Sequence, residues 1–88
     1  MSLNFPNESR CFDAKRQCVR FWAHDHALEI AFFVEAAALH QLDPQGGRDE
    51  PGLLGAFDRH RERICAAAAK VYTRHRGGDY TLGVDDLK

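Results

Sequence analysis

The longest regular pattern in the chain is the spacing of apolar residues between Asp49 and Gly77. Apolar side chains recur at intervals typical of a helix with one buried stripe. The stripe comprises Leu53, Leu54, Phe57, Ile64, Cys65, Ala68, Val71 and Tyr72. Asp49 is a favourable N-cap, and Gly77 is a residue type that commonly ends helices. The pattern therefore predicts one continuous helix, about 40 Å long.

Residues 17–34 have the composition of two strands joined by a tight turn. Val, Phe, Trp and Ile are enriched on both sides of the polar segment His24-Asp25-His26. A turn at Asp25-His26 pairs Phe21 with Ile30 and gives the hairpin one uniformly apolar face. That face comprises Val19, Phe21, Ala23, Leu28, Ile30 and Phe32. We expect it to receive the apolar stripe of the long helix.

Shorter segments complete the predicted fold. Leu3 and Phe5 alternate with polar residues, which indicates a short strand that pairs with Cys11-Phe12. Residues 35–42 have helical composition, Tyr80–Leu82 resembles a last strand, and residues 83–88 resemble an acidic tail. The order β-β-β-α-α-β predicts an α+β fold. We expect a single domain over residues 1–88, with a small antiparallel sheet of about three to five strands packed against one long and one short helix.

The composition of the chain bears on its binding partners and on its location in the cell. The formal net charge is −1 over 88 residues, so the charge of the whole molecule does not favour nucleic acid. Cys11, Cys18 and Cys65 are odd in number and widely spaced, which indicates reduced thiols rather than a disulfide framework. The first ten residues lack the apolar segment of a signal peptide, and the longest purely apolar run, residues 64–69, is too short to span a membrane. We therefore expect a cytoplasmic protein.

The order of several short motifs resembles a known family. The motifs are Cys18-Val19-Arg20-Phe21-Trp22, His24-Asp25, Leu28-Glu29-Ile30, Phe32-Phe33-Val34-Glu35-Ala36, Ala56-Phe57-Asp58, His60-Arg61, Arg63-Ile64, Val71-Tyr72 and Tyr80. Over nearly its whole length the chain resembles the small bacterial proteins catalogued as domain of unknown function 1488. The resemblance implies a stand-alone α+β domain with an antiparallel sheet. It implies no activity, so no functional residue follows from it.

The segment His24-Asp25-His26 is the best candidate for metal ligands, because His24 and His26 would share one strand face. Only two nitrogens are assured there, whereas a zinc site needs about three or four ligands. Ordinary turn and surface histidines explain the motif better. Cys18 and His24 are about 20 Å apart along a strand, too far for proton transfer. With no cofactor motif in the chain either, we predict no catalytic or cofactor-binding residues and favour a protein that is not an enzyme.

The back of the predicted long helix is basic. Residues 59–76 carry six Arg or Lys and one Glu, and Arg59, Arg63, Lys70 and Arg74 fall on one side of the helix. Such a stripe can follow the phosphates of a nucleic acid. It is equally the composition of the solvated face of an amphipathic helix, and we consider that interpretation the stronger one.

The second face of the predicted hairpin carries Arg20, Trp22, Glu29 and Phe33. In the predicted register Arg20 and Glu29 are diagonal neighbours that can form an ion pair. If the helices cover only the first face, this face exposes a Trp and a Phe, and such a patch usually marks an interface. The competing interpretation is that the N-terminal segment folds over the face and buries it.

These features together predict a non-catalytic interaction or accessory module. We expect a homodimer or a complex with a protein partner, formed through the face of Arg20, Trp22, Glu29 and Phe33. The alternative is a nucleic-acid-binding module that uses the basic helix face.

Overall fold

The chain forms a five-stranded sheet with helices packed on one of its faces. The computed structural model describes residues 3–5, 10–74 and 80–87. The elements are β1 (Leu3–Asn4), β2 (Arg10–Asp13), β3 (Cys18–Asp25), β4 (Leu28–Glu35), α1 (Ala36–Leu42), α2 (Glu50–Arg59), α3 (Arg61–Arg74) and β5 (Tyr80–Leu82), with a short 3-10 turn at Val84–Leu87. This order confirms the predicted α+β class.

Strands β3 and β4 form the centre of the sheet and pair antiparallel along their whole lengths. Strands β1 and β2 both pair with the other edge of β3 and not with each other, contrary to the prediction for Cys11-Phe12. Strand β5 pairs with β4 in parallel, with Tyr80 beside Phe32. The sheet is therefore mixed rather than wholly antiparallel, because the helical connection returns the chain to the end of the sheet from which β4 starts.

The hairpin of β3 and β4 differs from the predicted register by two residues. Its two-residue turn begins at His26, so that Phe21 lies opposite Phe32. His26 adopts the positive φ, 58°, that such turns require. Asp25 consequently stays in β3, where its carboxylate accepts a hydrogen bond from the Tyr72 hydroxyl. Because the shift is an even number of residues, every side chain keeps its predicted face.

The single helix predicted over residues 49–77 is in fact two helices, α2 and α3, separated at His60. A straight helix of about 40 Å would be longer than the molecule, whose longest dimension is 35 Å. Phe57 in α2 and Ile64 in α3 are both fully buried on either side of the break. The predicted helix end at Gly77 lies outside the described residues.

The core lies between the helices and one face of the sheet, which we call the inner face. The sheet residues buried there are Val19, Phe21, Ala23, Phe32, Val34, Tyr80 and Leu82. The ring of Phe57 lies 5.0 Å from that of Phe21, and Phe21 lies 5.6 Å from Phe32, measured between centroids. Aromatic contacts therefore join α2 to the central hairpin. Leu28, which was expected to be in the core, lies at the hairpin tip and is 66% exposed.

The C-terminal segment is part of the fold, contrary to the prediction of an acidic tail. Leu87 is buried against the core. The carbonyl oxygen of Leu87 accepts a hydrogen bond from Nη2 of Arg63 at 3.0 Å. Asp86 Oδ2 accepts another from the backbone N–H of Gly83 at 2.8 Å. Burial of the apolar Leu87 holds the segment against the core, although the segment also contains acidic residues.

The start of α2 depends on a close approach between two glycines. Asp49 caps the helix by accepting a hydrogen bond from the N–H of Gly52 at 3.0 Å. A Cβ on Gly52 would lie 2.6 Å from the carbonyl carbon and oxygen of Gly47, which are backbone atoms. A Cβ on Gly55 would meet only the side chain of Arg59, whose Nη1 lies 3.3 Å away.

We therefore expect opposite effects from two Gly→Ala substitutions in the same helix. Gly52→Ala should lower the free energy of unfolding by about 1–3 kcal/mol, because the loop must move to relieve the overlap. Gly55→Ala should raise it by about 0.5–1 kcal/mol, because alanine is the better helix former. Urea unfolding followed by circular dichroism measures both, and equal effects would contradict the packing of Gly52 on Gly47.

Candidate interaction surface

The helices leave one face of the sheet uncovered, and we call it the outer face. It carries Arg20, Trp22 and His24 from β3 and Glu29, Ala31 and Phe33 from β4. Strand alternation puts these residues opposite the core residues, and none of the six belongs to the main apolar cluster. The four residues predicted for a partner interface therefore lie on one surface. Trp22 is half-buried, and Arg20 and Glu29 are exposed.

Arginine side chains cover the aromatic rings of the outer face. The guanidinium of Arg16 lies 3.8 Å from the ring centroid of Phe33. That of Arg20 lies 5.3 Å from Trp22 and 5.7 Å from Phe33. These are cation–π distances, and the covering leaves Phe33 only 9% exposed. The apolar area that water reaches is therefore centred on Trp22 and bordered by positive charge.

The charges of the outer face are separated along the strands. Arg20 lies opposite Phe33, and Glu29 lies opposite His24, with the pair Trp22 and Ala31 between them. The predicted ion pair of Arg20 with Glu29 is therefore wrong, because the observed register moves them two pairs apart. Glu29 instead has His24 Nε2 at 3.9 Å. Arg20 thus lies towards one end of the face, where Asp13 and Glu35 flank Cys18, and the exposed carboxylate of Glu29 lies towards the other end.

Neither Cys18 nor Cys65 is an activated nucleophile. Burial raises the pKa of the Cys18 thiol, and the nearby Arg16 only partly offsets that effect. Burial likewise raises the pKa of Cys65. At neutral pH both remain protonated, which is the unreactive form. Cys18 lies at the edge of the outer face as a buried filler beneath the exposed charges.

The histidine motif at the hairpin tip is spread over two faces and a turn. His24 lies on the outer face, and His26 is in the turn with 83% of its side chain exposed. Asp25 points to the inner side and binds Tyr72, with His26 Nε2 at 3.8 Å. Within residues 3–5, 10–74 and 80–87, no group of three or more His, Cys, Asp or Glu is positioned to hold a metal ion.

The predicted basic face is divided between α2 and α3 and is partly engaged within the chain. Arg59 donates two hydrogen bonds to Asp43, which follows α1. Arg63 donates to the Leu87 carbonyl, and Lys70 is exposed. The side chain of Arg74 lies outside the described residues. Two of the four basic groups therefore already have partners that stabilise the fold.

Two contributors to these surfaces were not selected from the sequence. Arg16 belongs to the turn before β3, and its side chain crosses to Phe33 and to the hydroxyl of Thr81, 3.5 Å away. Asp43 lies directly after the helix predicted over residues 35–42. Both act through contacts between elements distant in sequence. A charged residue beside a strand or helix end is the only signal that the sequence offers for either.

Comparison with known proteins identifies relatives of the whole chain. A family model described as "Protein of unknown function (DUF1488)" matches residues 3–83. A crystal structure of a protein of unknown function from the DUF1488 family, from Shewanella loihica PV-4, superposes with a TM-score of 0.81 at 19% sequence identity. The match covers 92% of this chain and 91% of that one. At this identity the likeness shows a shared fold. No curated protein matches the sequence.

The helices were also compared with the requirements of a membrane span. Across the described parts of the chain, no helix combines the length and apolarity needed to cross a bilayer.

The Asp43–Arg59 ion pair leads to a testable pH dependence. The hydrogen-bonded Arg59 guanidinium lowers the pKa of the Asp43 carboxyl below its ordinary value, which is about 3.9 in an unfolded chain. The stabilisation is therefore complete above the unfolded pKa and is lost as the pH falls through the lower folded pKa. Asp43→Asn should lower the urea midpoint at pH values near neutrality and should cost progressively less in acid.

Glu62→Gln is the matched control, because Glu62 is exposed and has no ion pair with a described residue. Its difference from the wild type should change little over the same pH range. A deficit of Asp43→Asn that stays constant from neutral to strongly acidic pH would rule out the ion pair as its cause.

Proposed function

This chain belongs to the DUF1488 family, and we propose that it is a non-catalytic interaction module that forms a homodimer through the outer face. The observation that carries the proposal is the half-buried Trp22 at the centre of a helix-free sheet face, bordered by arginines. An aromatic residue on an uncovered sheet contributes most when a second surface removes it from water. Tryptophan and arginine are also the residue types most enriched where interfaces gain their affinity.

The separation of charge supports a second copy as the partner. A two-fold axis near the pair of Trp22 and Ala31 would bring Arg20 of one copy to Glu29 of the other, and the reverse. Arg20 has no carboxylate partner among the described residues, and the carboxylate of Glu29 is 59% exposed. The face therefore complements itself, which a surface of uniform charge would not do.

The size of the face sets the expected affinity. The face is about 26 Å long, which is the length of the eight-residue strands β3 and β4. It is about 15 Å wide, which corresponds to three spacings between neighbouring strands of the sheet. The buried area is then roughly 400 Å² per copy, or about 800 Å² in total, which is below the range of stable specific complexes and within that of weak, transient ones. We accordingly expect a weak dimer with a micromolar dissociation constant.

The nucleic-acid alternative has less support. Arg59 is held by Asp43, and Arg63 by the Leu87 carbonyl, so a phosphate would compete with existing contacts. Lys70 faces an area shared with Asp86. Arg59 and Arg63 are therefore less available to a phosphate than free surface arginines would be.

The free thiols support the proposed location in the bacterial cytoplasm. Cys11, Cys18 and Cys65 are all unpaired with one another. Reduced cysteines are typical of proteins in reducing compartments.

A charge exchange tests the dimer. Arg20→Glu alone and Glu29→Arg alone should each weaken association at least tenfold, because each puts like charges together across the two-fold axis. The double variant should recover most of the wild-type affinity, because it restores opposite charges in exchanged positions. Sedimentation equilibrium over a wide concentration range measures all four proteins.

Lys70→Glu is the control, because it reverses a charge on the helical side of the molecule. It should dimerise like the wild type, and a fluorescence titration with mixed oligonucleotides at low salt should be flat for both. A monomeric wild type, or a double variant as weak as the single ones, would overturn the dimer. Oligonucleotide binding that Lys70→Glu weakens would instead favour the basic face.

A further inference from the structure

A cleft on the helical side of the molecule lies between α1, α2 and the loop that joins them. Its volume is about 300 Å³, and its lining residues are Gln17, Ala36, Ala37, His40, Arg48 and Leu53. The volume is at the lower end of the range for small-molecule sites. The cleft does not overlap the outer face, so its role is independent of dimer formation.

Two basic side chains border this cleft without partners in the described structure. Arg48 is exposed and forms no ion pair or hydrogen bond with any described residue. His40 is half-buried, and its Nδ1 is buried with no hydrogen-bond partner. A proton on Nδ1 would have no acceptor there, which favours the tautomer that carries its proton on Nε2. His40 can therefore donate a hydrogen bond from Nε2, beside a permanently charged guanidinium.

The other lining groups are short and apolar. Ala36 and Ala37 form one wall, and the buried Leu53 contributes from α2. Gln17 uses its side-chain amide to bond the Ala14 carbonyl at 2.7 Å. The described lining contains no carboxylate, unlike the smaller cavity beside Lys70, which includes Asp86. Two cationic or N–H donors beside an apolar wall suit an anion with a short hydrocarbon body.

We propose that the cleft binds a small aliphatic carboxylate. The carboxylate accepts hydrogen bonds from Arg48 and from Nε2 of His40, and the alkyl chain lies against Ala36, Ala37 and Leu53. Carboxylate is preferred to phosphate because the cleft offers a bidentate guanidinium and one further donor, while much of its wall cannot hydrogen-bond.

Titration of the ¹⁵N-labelled full chain with sodium acetate, butyrate and phosphate tests the proposal by NMR. Butyrate should shift the amide signals of Ala37, His40 and Arg48 in a saturable manner. Affinity should rise by roughly two- to fourfold for each added methylene, because the apolar wall gains contact. Phosphate binding in place of butyrate, or equal affinity for acetate and butyrate, would overturn the assignment.

Two variants locate the site. Arg48→Ala removes an exposed side chain and should weaken butyrate by roughly tenfold. Ala37→Leu fills the cleft with a good helix former and should abolish saturation. Lys70→Ala removes a positive charge elsewhere on the helical side and should leave the affinity unchanged. Equal weakening by Arg48→Ala and Lys70→Ala would show general charge attraction and would refute a built site.

Discussion

The packing of Phe57 on Phe21, which in turn stacks on Phe32, is the contact on which the rest of the structure depends. It fixes α2 against the centre of the β3–β4 hairpin, and α3 follows it on the same face with Ile64 fully buried. A sheet with helices on one face buries one set of alternating side chains and leaves the other set to solvent or to a partner. The outer face is therefore a consequence of where the helices bind.

Ion pairs at the periphery of the core join neighbouring elements to one another. Arg10 binds Asp58 with two hydrogen bonds of 2.9 and 2.8 Å and joins the sheet edge to α2. Arg59 binds Asp43 and joins α2 to the end of α1. In both pairs the positive charge of the arginine is balanced by an aspartate of a neighbouring element. Among the charges of the described residues that do not hold elements together in this way are Arg20 and Glu29 on the outer face and Arg48 beside the cleft.

Two surfaces of different chemistry result from this arrangement. The outer face is broad and centred on an aromatic ring, which suits a protein surface of matching size. The cleft is narrow, has an apolar wall and is bordered by two nitrogen donors, which suits a small anion. They lie on opposite sides of the sheet, so a ligand and a second copy can bind without competing for space.

The sequence by itself determined the periodic features: the α+β class, the buried stripe centred on Phe57, Ile64 and Ala68, and the two faces of the hairpin. The face on which a side chain lies follows from the period of 3.6 residues in a helix and of two residues in a strand. In a strand it does not change when the register shifts by an even number of residues. The tertiary structure alone decided the turn at His26, the break at His60 and the anchoring of Leu87. No glycine or proline marks His60, so the local sequence gives no signal for the break. The tertiary structure also decided which groups lie next to Arg16, Arg20 and Glu29. Each of them has a neighbour on another strand, and such neighbours depend on the strand register and cannot be derived from the spacing of residues along the chain.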